Sequence, residues 1–203
     1  MSNEQFDKIG DYYNKLVKKH GESPKACDYG HPESQQIKFN VLSSIITPGD
    51  KSLLDVGCGL GNYYEFLREK KYNLNYTGID LSEEMISKAR NKYNELVLIQ
   101  KNILDMDKEI KFDVVSANGI FYLLKTQPFD VMKELIAKMY LLANNTVVFN
   151  SLSSYCKDKE VGEFYVNPLE VVDYCMSLTP WVGLRHDYHH RDFTVYMCKT
   201  KNE

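Results

Sequence analysis

From Lys51 to Ser151 the chain alternates short apolar runs with longer segments in which apolar residues recur every three or four positions. The runs "KSLLDVG", "NYTGID", "ELVLIQKN", "FDVVSANG" and "NTVVFNS" have the length and content of buried strands. Among them, "NYYEFLREKK", "SEEMISKARNKY" and "QPFDVMKELIAKMYLLA" read as amphipathic helices. Ser82 is placed to cap the second of these, with acidic residues in its first turn. Alternation of this kind predicts an α/β fold, a doubly wound and mainly parallel sheet with helices on both faces. Upstream, residues 4–20 carry Phe6, Ile9, Tyr13, Leu16 and Val17 on one helical stripe. The turn-rich passage "HGESPKACDYGHPES" breaks regular structure, and "ESQQIKFNVLSSII" resumes a helix that stops at "TPGD". Downstream, "EVVDYCMSL" is a helix, and "GLRHDYHHRDFTVYMCKT" reads as two strands joined by a polar turn near His190 to Asp192. The expected sheet therefore has seven strands, ends in an antiparallel hairpin and carries extra N-terminal helices.

Length and charge narrow the picture without changing it. With 203 residues and no repeat or linker, residues 1–203 are expected to form a single domain. Within it, 1–34 is a candidate lid, 35–150 a ligand-binding core, and 151–203 an acceptor-side insert with the terminal hairpin. A net charge of −3 gives no electrostatic footprint for nucleic acid. The polar start "MSNEQFDKIGDYYNK" reads as neither signal nor transit peptide, and no apolar run has the length of a membrane span. Five scattered cysteines without a CxxC pair are expected to be reduced thiols, which fits a cytoplasmic location and no membrane partner. The cluster "RHDYHHRD" offers His186, His189 and His190. Strand alternation would put His186 and His190 on one face and His189 on the other, so no metal site is expected.

Candidate chemistry begins at "LLDVGCGLGNYYEFL", residues 53–67. Gly57, Gly59 and Gly61 permit a sharp turn and are expected to let backbone N–H groups face a ligand without Cβ obstruction. The dinucleotide pattern G-x-G-x-x-G would need glycine where this chain has Asn62. Pyrophosphate would also sit poorly beside the Asp55 carboxylate, whereas a cationic or amine-bearing ligand would suit it.

The segment "LLDVGCGLG" resembles the first motif of class I S-adenosylmethionine-dependent methyltransferases, and later segments agree in order and spacing. That resemblance implies a Rossmann-like fold and S-adenosyl-L-methionine as cofactor, with S-adenosyl-L-homocysteine as product. Asp55 and the three glycines then hold the cofactor. Asp80, at the end of "GID", takes the place of the family's ribose-binding carboxylate, with Leu81 beside it. "LVLIQKNILDMD" resembles the adenine segment, Asn102 standing where aspartate is usual and Ile103 packing on the ring. An asparagine carbonyl can still accept from the adenine amine. "ESQQIKFNVL" resembles a Q-x-x-R-F-x-x-L segment of some small bacterial members, with Lys38 for arginine near the methionine carboxylate. "FDVVSANGIFYLL" resembles the fourth-strand motif, so Asn118 borders the methionine part and Gly119, Phe121 and Tyr122 the acceptor pocket. Tyr13, Tyr155 and Tyr165 are the other expected pocket residues.

The function this implies is methyl transfer by in-line displacement to an N or O atom of a small molecule, with no metal. Tyr13, His31 and Tyr122 are candidate bases for the acceptor's proton. Peptide, protein or RNA acceptors are the alternatives, as is a non-catalytic module that binds S-adenosylmethionine. "NGIFY" lacks the proline pair common where base-modifying enzymes act on exocyclic amines, so no nucleic acid is expected.

Overall fold

In a computed structural model, described for residues 4–28 and 32–201, the alternating segments form a seven-stranded sheet. Its strands are β1 (Ser52–Val56), β2 (Asn75–Asp80), β3 (Val97–Gln100), β4 (Phe112–Ala117), β5 (Ala143–Leu152), β6 (Val182–Arg185) and β7 (Asp192–Cys198). The helices are α1 (Glu4–His20), α2 (Pro32–Ser43), α3 (Asn62–Glu69), α4 (Glu83–Lys92), α5 (Pro128–Leu142) and α6 (Pro168–Met176). Strand order is β3-β2-β1-β4-β5-β7-β6. The first five strands are parallel to their neighbours, and β7 runs antiparallel between β5 and β6. After β1 the chain first moves outward to β2 and β3, then returns to place β4 on the other side of β1. Ligands of doubly wound sheets bind at such a switch point, beyond the carboxyl ends of the strands.

Strand alternation divides the core in two. Leu54 and Val56 of β1, Val115 of β4 and Val147 and Phe149 of β5 pack with Val131, Leu135 and Met139 of α5 and with Val171 of α6. Leu53, Val114 and Val148 face the other way, onto Phe39 and Leu42 of α2, Phe66 of α3 and Ile86 of α4. The continuous apolar runs read from the sequence thus follow from burial on both faces. Ser82 caps α4 as expected, its hydroxyl accepting from Met85 N at 3.1 Å. Asn167 does the same for α6, accepting from Leu169 N at 3.0 Å.

The C-terminal hairpin departs from the sequence reading. Asp192 is the first residue of β7, not part of the turn, and β6 ends at Arg185. His186, His189 and His190 therefore lie in a loop, and strand alternation does not govern them. The rings of His189 and His190 sit side by side, 4.8 Å between centroids. Helix α2 stops at Ser43, where the hydroxyls of Ser43 and Ser44 bond back to Asn40 O and Val41 O. No helix among the described residues is long and apolar enough to cross a membrane, and all five cysteines are free thiols.

The turn after β1 leaves no room for a side chain. Gly57 has φ 75°, and a Cβ there would lie 2.6 Å from Ile120 Cγ2. A left-handed conformation costs a non-glycine residue about 1–2 kcal/mol before any clash. Gly57→Ala should therefore lower the melting temperature by roughly 4 °C or more in a thermal melt.

Candidate active site

One continuous cleft of about 360 Å³ opens at the switch point, a size typical of small-molecule sites. It brings together Lys38, Asp55, Gly57, Gly59, Asp80, Leu81, Asn102, Ile103, Asn118, Gly119, Phe121, Tyr122 and Tyr13 of the residues singled out above. Gly61 lies just behind it, with φ 80° at the start of α3 and its open side against the Tyr93 ring. Tyr155 stays 59% exposed, its ring beside His186 and outside the cleft wall. Tyr165 backs the wall instead of forming it, hydrogen bonded to Glu163 and Arg191. His31 lies outside the described residues.

At the cofactor end, the glycine loop works differently from the expectation. Ile79 O accepts from both Gly57 N at 2.8 Å and Cys58 N at 3.0 Å, and Cys58 O accepts from Gly61 N at 3.0 Å. Gly59 N donates to Asp80 Oδ2 at 2.9 Å. These amides are committed within the protein, so the loop's offering is close approach without Cβ atoms and not a set of free donors. The other oxygen of Asp80 accepts from Ser82 N at 2.8 Å. A carboxylate has roughly four acceptor sites, so about two remain for ligand hydroxyls. Burial raises the Asp80 carboxyl while the amides of Ser82 and Gly59 draw it back. Gly10 of α1 rests on Leu81, where a Cβ would come 3.0 Å from the Leu81 carbonyl oxygen, so α1 roofs this end.

Asp55 is 2% exposed and accepts from Tyr76 Oη at 2.5 Å, a partner not visible in the motif. Burial pushes its carboxyl up to about 7, opposed by the Tyr76 hydrogen bond and reinforced by the Asp80 charge. The Asn102 carbonyl, expected to meet adenine, accepts from Leu104 N at 3.1 Å and caps the short turn Ile103–Asp105. Its second lone pair is the part left for a ligand. Asn118 is braced by Asn150 of β5, whose amide donates to Asn118 Oδ1 at 2.6 Å and whose carbonyl accepts from Gly119 N at 2.7 Å. Asn150 is fully buried, and its only sequence signal was a polar residue inside an apolar strand.

Under α1, Tyr122 donates to Asp28 Oδ2 at 2.6 Å and meets Tyr13 Oη at 2.8 Å. Tyr12 also donates to Asp28, at 2.9 Å. Burial pushes the Tyr122 phenol far up, and Tyr13 and Asp28 add to the effect. Tyr122 therefore keeps its proton and is a poor base. Lys38, expected near a ligand carboxylate, has its ammonium 3.0 Å from Asp192 Oδ1. Asp192 Oδ2 lies 2.7 Å from His189 Nδ1. Arg191 is clamped by Glu160 at 2.7 Å and Glu163 at 2.6 Å. Among the described residues no group of three or more His, Cys, Asp or Glu is placed to hold a metal ion.

Sheet order, a glycine turn at the switch point and a carboxylate at the end of β2 define a Rossmann-like fold with its cleft at the switch point. A methyltransferase-domain model matches residues 54–149, from β1 to β5. A provisionally named methyltransferase of Mycobacterium tuberculosis is 29% identical over 159 residues, 73% of this chain and 93% of that relative. A trans-aconitate 2-methyltransferase of Acidovorax ebreus is 30% identical over 93 residues, 45% of this chain but 36% of its own length. The magnesium protoporphyrin IX methyltransferase of Synechocystis, solved with bound S-adenosylmethionine, superposes with a TM-score of 0.69, covering 95% of this chain and 97% of that one at 14% identity. The domain match and these likenesses support a class I S-adenosylmethionine-dependent methyltransferase with S-adenosylmethionine as cofactor.

Two substitutions test the cofactor end. Asp80→Asn should weaken S-adenosylhomocysteine binding about tenfold or more, the worth of one charge-assisted hydrogen bond. Asp80→Ala should also lower the melting temperature, because the amides of Gly59 and Ser82 lose their acceptor. Calorimetry and thermal melts read the two effects separately. Asp55 binds its proton more tightly folded than unfolded, so its contribution is greatest at low pH and is lost as pH rises through about 7. Asp55→Asn keeps an acceptor for Tyr76 and should flatten the fall in melting temperature of the ligand-free protein between about pH 4 and 7.

Proposed function

We propose that this enzyme methylates an N or O atom of a neutral or cationic small molecule. The carrying observation is that two cations lining the cleft are paired, Lys38 with Asp192 and Arg191 with Glu160 and Glu163. Asp28 adds further negative charge at the mouth. An anionic acceptor would have to compete with these carboxylates for Lys38 and Arg191. Ser151 Oγ, buried and without a hydrogen-bond partner among the described residues, belongs to a residue that also lines the cleft. A polar acceptor would satisfy it.

When bound, S-adenosylmethionine supplies a methyl group activated by its sulfonium. Asp80 is suited to receive the ribose hydroxyls, Leu81, Ile103 and the adjacent Met85 to enclose adenine, and the Gly57 turn to allow the methionine part close to β1. Asn118, braced by Asn150, borders the point where cofactor and acceptor would meet. The chain's main contribution is then alignment, which can supply much of a displacement's acceleration.

Helix α1 supports a lid. Phe6, Ile9 and Tyr13 line the cleft, yet much of what ties α1 and the following turn to the body is polar. Gln5 accepts from Lys125 N and Thr126 N at 2.8 Å each, Asn14 accepts from Ser82 Oγ at 2.7 Å, and Asp28 holds Tyr122. Val17 of α1 also packs with Ala26, Leu60 and Met85, so opening would uncover that small apolar cluster while leaving the strands' own two-sided packing in place.

Calorimetry with S-adenosylmethionine, S-adenosylhomocysteine and NAD tests the cofactor assignment, with binding expected for the first two and none for the third. Hydrogen exchange with and without S-adenosylhomocysteine tests the lid. Ligand-dependent protection across residues 5–28 is expected; equal protection in both states would make α1 a permanent part of the wall. Turnover of S-adenosylmethionine with a panel of primary amines and phenols, exceeding turnover with carboxylic acids, would support the acceptor class. The reverse preference would overturn it.

A further inference from the structure

We propose that the methyl-accepting atom is an oxygen, and that Asn150 is the positioning residue that sets this choice by turning the Asn118 amide. The proposal rests on the methyltransferase reading above and narrows its N or O acceptor to one element. Asn118 and Gly119 line the cleft just beyond the carboxyl end of β4. Ala117 pairs with Val56 at the end of β1, and Ile120 Cγ2 stands 2.6 Å from where a Cβ on Gly57 would lie. The segment therefore lies against the glycine turn, beside which the reading above puts the methionine part of the cofactor.

The direction of the Asn118 amide follows from a backbone group. Gly119 N–H can only donate, and it meets Asn150 Oδ1 at 2.7 Å. That fixes which branch of the Asn150 amide is oxygen, so the other branch is its NH2. This NH2 reaches Asn118 at 2.6 Å, and the atom it meets must accept, which makes that atom Oδ1. Asn150 is fully buried in β5, with both branches engaged. Asn118 therefore directs its oxygen towards β5 and turns its own NH2 the other way. An amide NH2 carries two hydrogens, so one serves a ligand even while the other is engaged.

A donor at this position selects among acceptor atoms by their lone pairs. A hydroxyl oxygen has two, so one can take the Asn118 N–H while the other attacks the methyl carbon. A neutral amine nitrogen has one. Bound to Asn118 it cannot attack, and aimed at the methyl carbon it turns N–H groups against the Asn118 donor. A hydrogen bond to the charged form also favours the deprotonated oxygen, the stronger nucleophile. As the oxygen bonds to the methyl carbon, the carbon–sulfur bond breaks and its electron pair stays on sulfur. The hydroxyl proton passes to water.

The first arm of the test reads the amide itself. In an atomic-resolution crystal structure of the S-adenosylhomocysteine complex, C–O and C–N bonds differ by about 0.1 Å and mark each branch. The Asn118 oxygen is expected on the Asn150 side; its nitrogen there overturns the proposal. The second arm compares methyl transfer from S-adenosylmethionine to phenols and alcohols with transfer to anilines and amines of the same skeletons. A kcat/KM ratio favouring oxygen by roughly tenfold or more is expected, the consequence of leaving a polar group unmatched. Preference for nitrogen overturns the proposal. The third arm separates direction from mere support. Asn118→Asp keeps an acceptor for Asn150 but loses the donor, and Asn150→Asp keeps the acceptor for Gly119 but obliges Asn118 to turn round. Each should shrink the oxygen preference about tenfold, with thermal melts confirming a folded protein. Equal loss on both acceptor types, the mark of a merely structural role, overturns the proposal, as does an unchanged preference in Asn118→Asp. Failure of the wild type to bind S-adenosylhomocysteine falls on the cofactor assignment instead.

Discussion

The Asp80 carboxylate joins the parts of the cofactor end. One oxygen takes the Gly59 amide from the turn after β1, and the other takes the Ser82 amide at the start of α4. A buried carboxylate is costly unless hydrogen bonded, and here the compensating bonds come from the two loops that any ligand must approach. The same contacts that make burial tolerable therefore set the geometry of the site. With Ile79 O holding Gly57 and Cys58, the loop is a finished structure before anything binds.

Preorganisation at this end contrasts with polar closure at the other. Helix α1 and the turn after it are tied down through Gln5, Asn14 and Asp28, and all three contacts are hydrogen bonds to loops around the cleft. The core strands, by comparison, are covered by apolar side chains on both faces. Stability is thus concentrated in the sheet, and above it α1 is held by these hydrogen bonds together with the small apolar cluster of Val17, Ala26, Leu60 and Met85. An enzyme that must admit its cofactor and then exclude water can use such a division.

Charge along the cleft wall is organised by pairing. Lys38 with Asp192 and Arg191 with two glutamates leave a polar wall whose cations are compensated. Asp192 and its neighbours His189 and Arg191 stand where β7 begins, beside the end of β5. The first residue of the antiparallel strand β7 and the loop before it thus form part of the cleft wall.

Much of the fold was written locally. Apolar runs of strand length, helical periods between them, Ser82 as a cap and the spacing from the glycine turn to Asp80 all depend on short stretches of chain, and the structure has them. The turn also had to be glycine at Gly57, because its φ is positive and Ile120 fills the space a Cβ would need. What the sequence could not show were meetings between distant residues. Tyr76 on Asp55, Asn150 on Asn118 and Lys38 on Asp192 each join separate elements, and only the strand order brings them within hydrogen-bond reach. The three histidines were misplaced for a related reason. Where β6 ends and β7 begins is decided by pairing against β5, not by the alternation of polar residues along the hairpin, and that pairing puts Asp192 beneath His189.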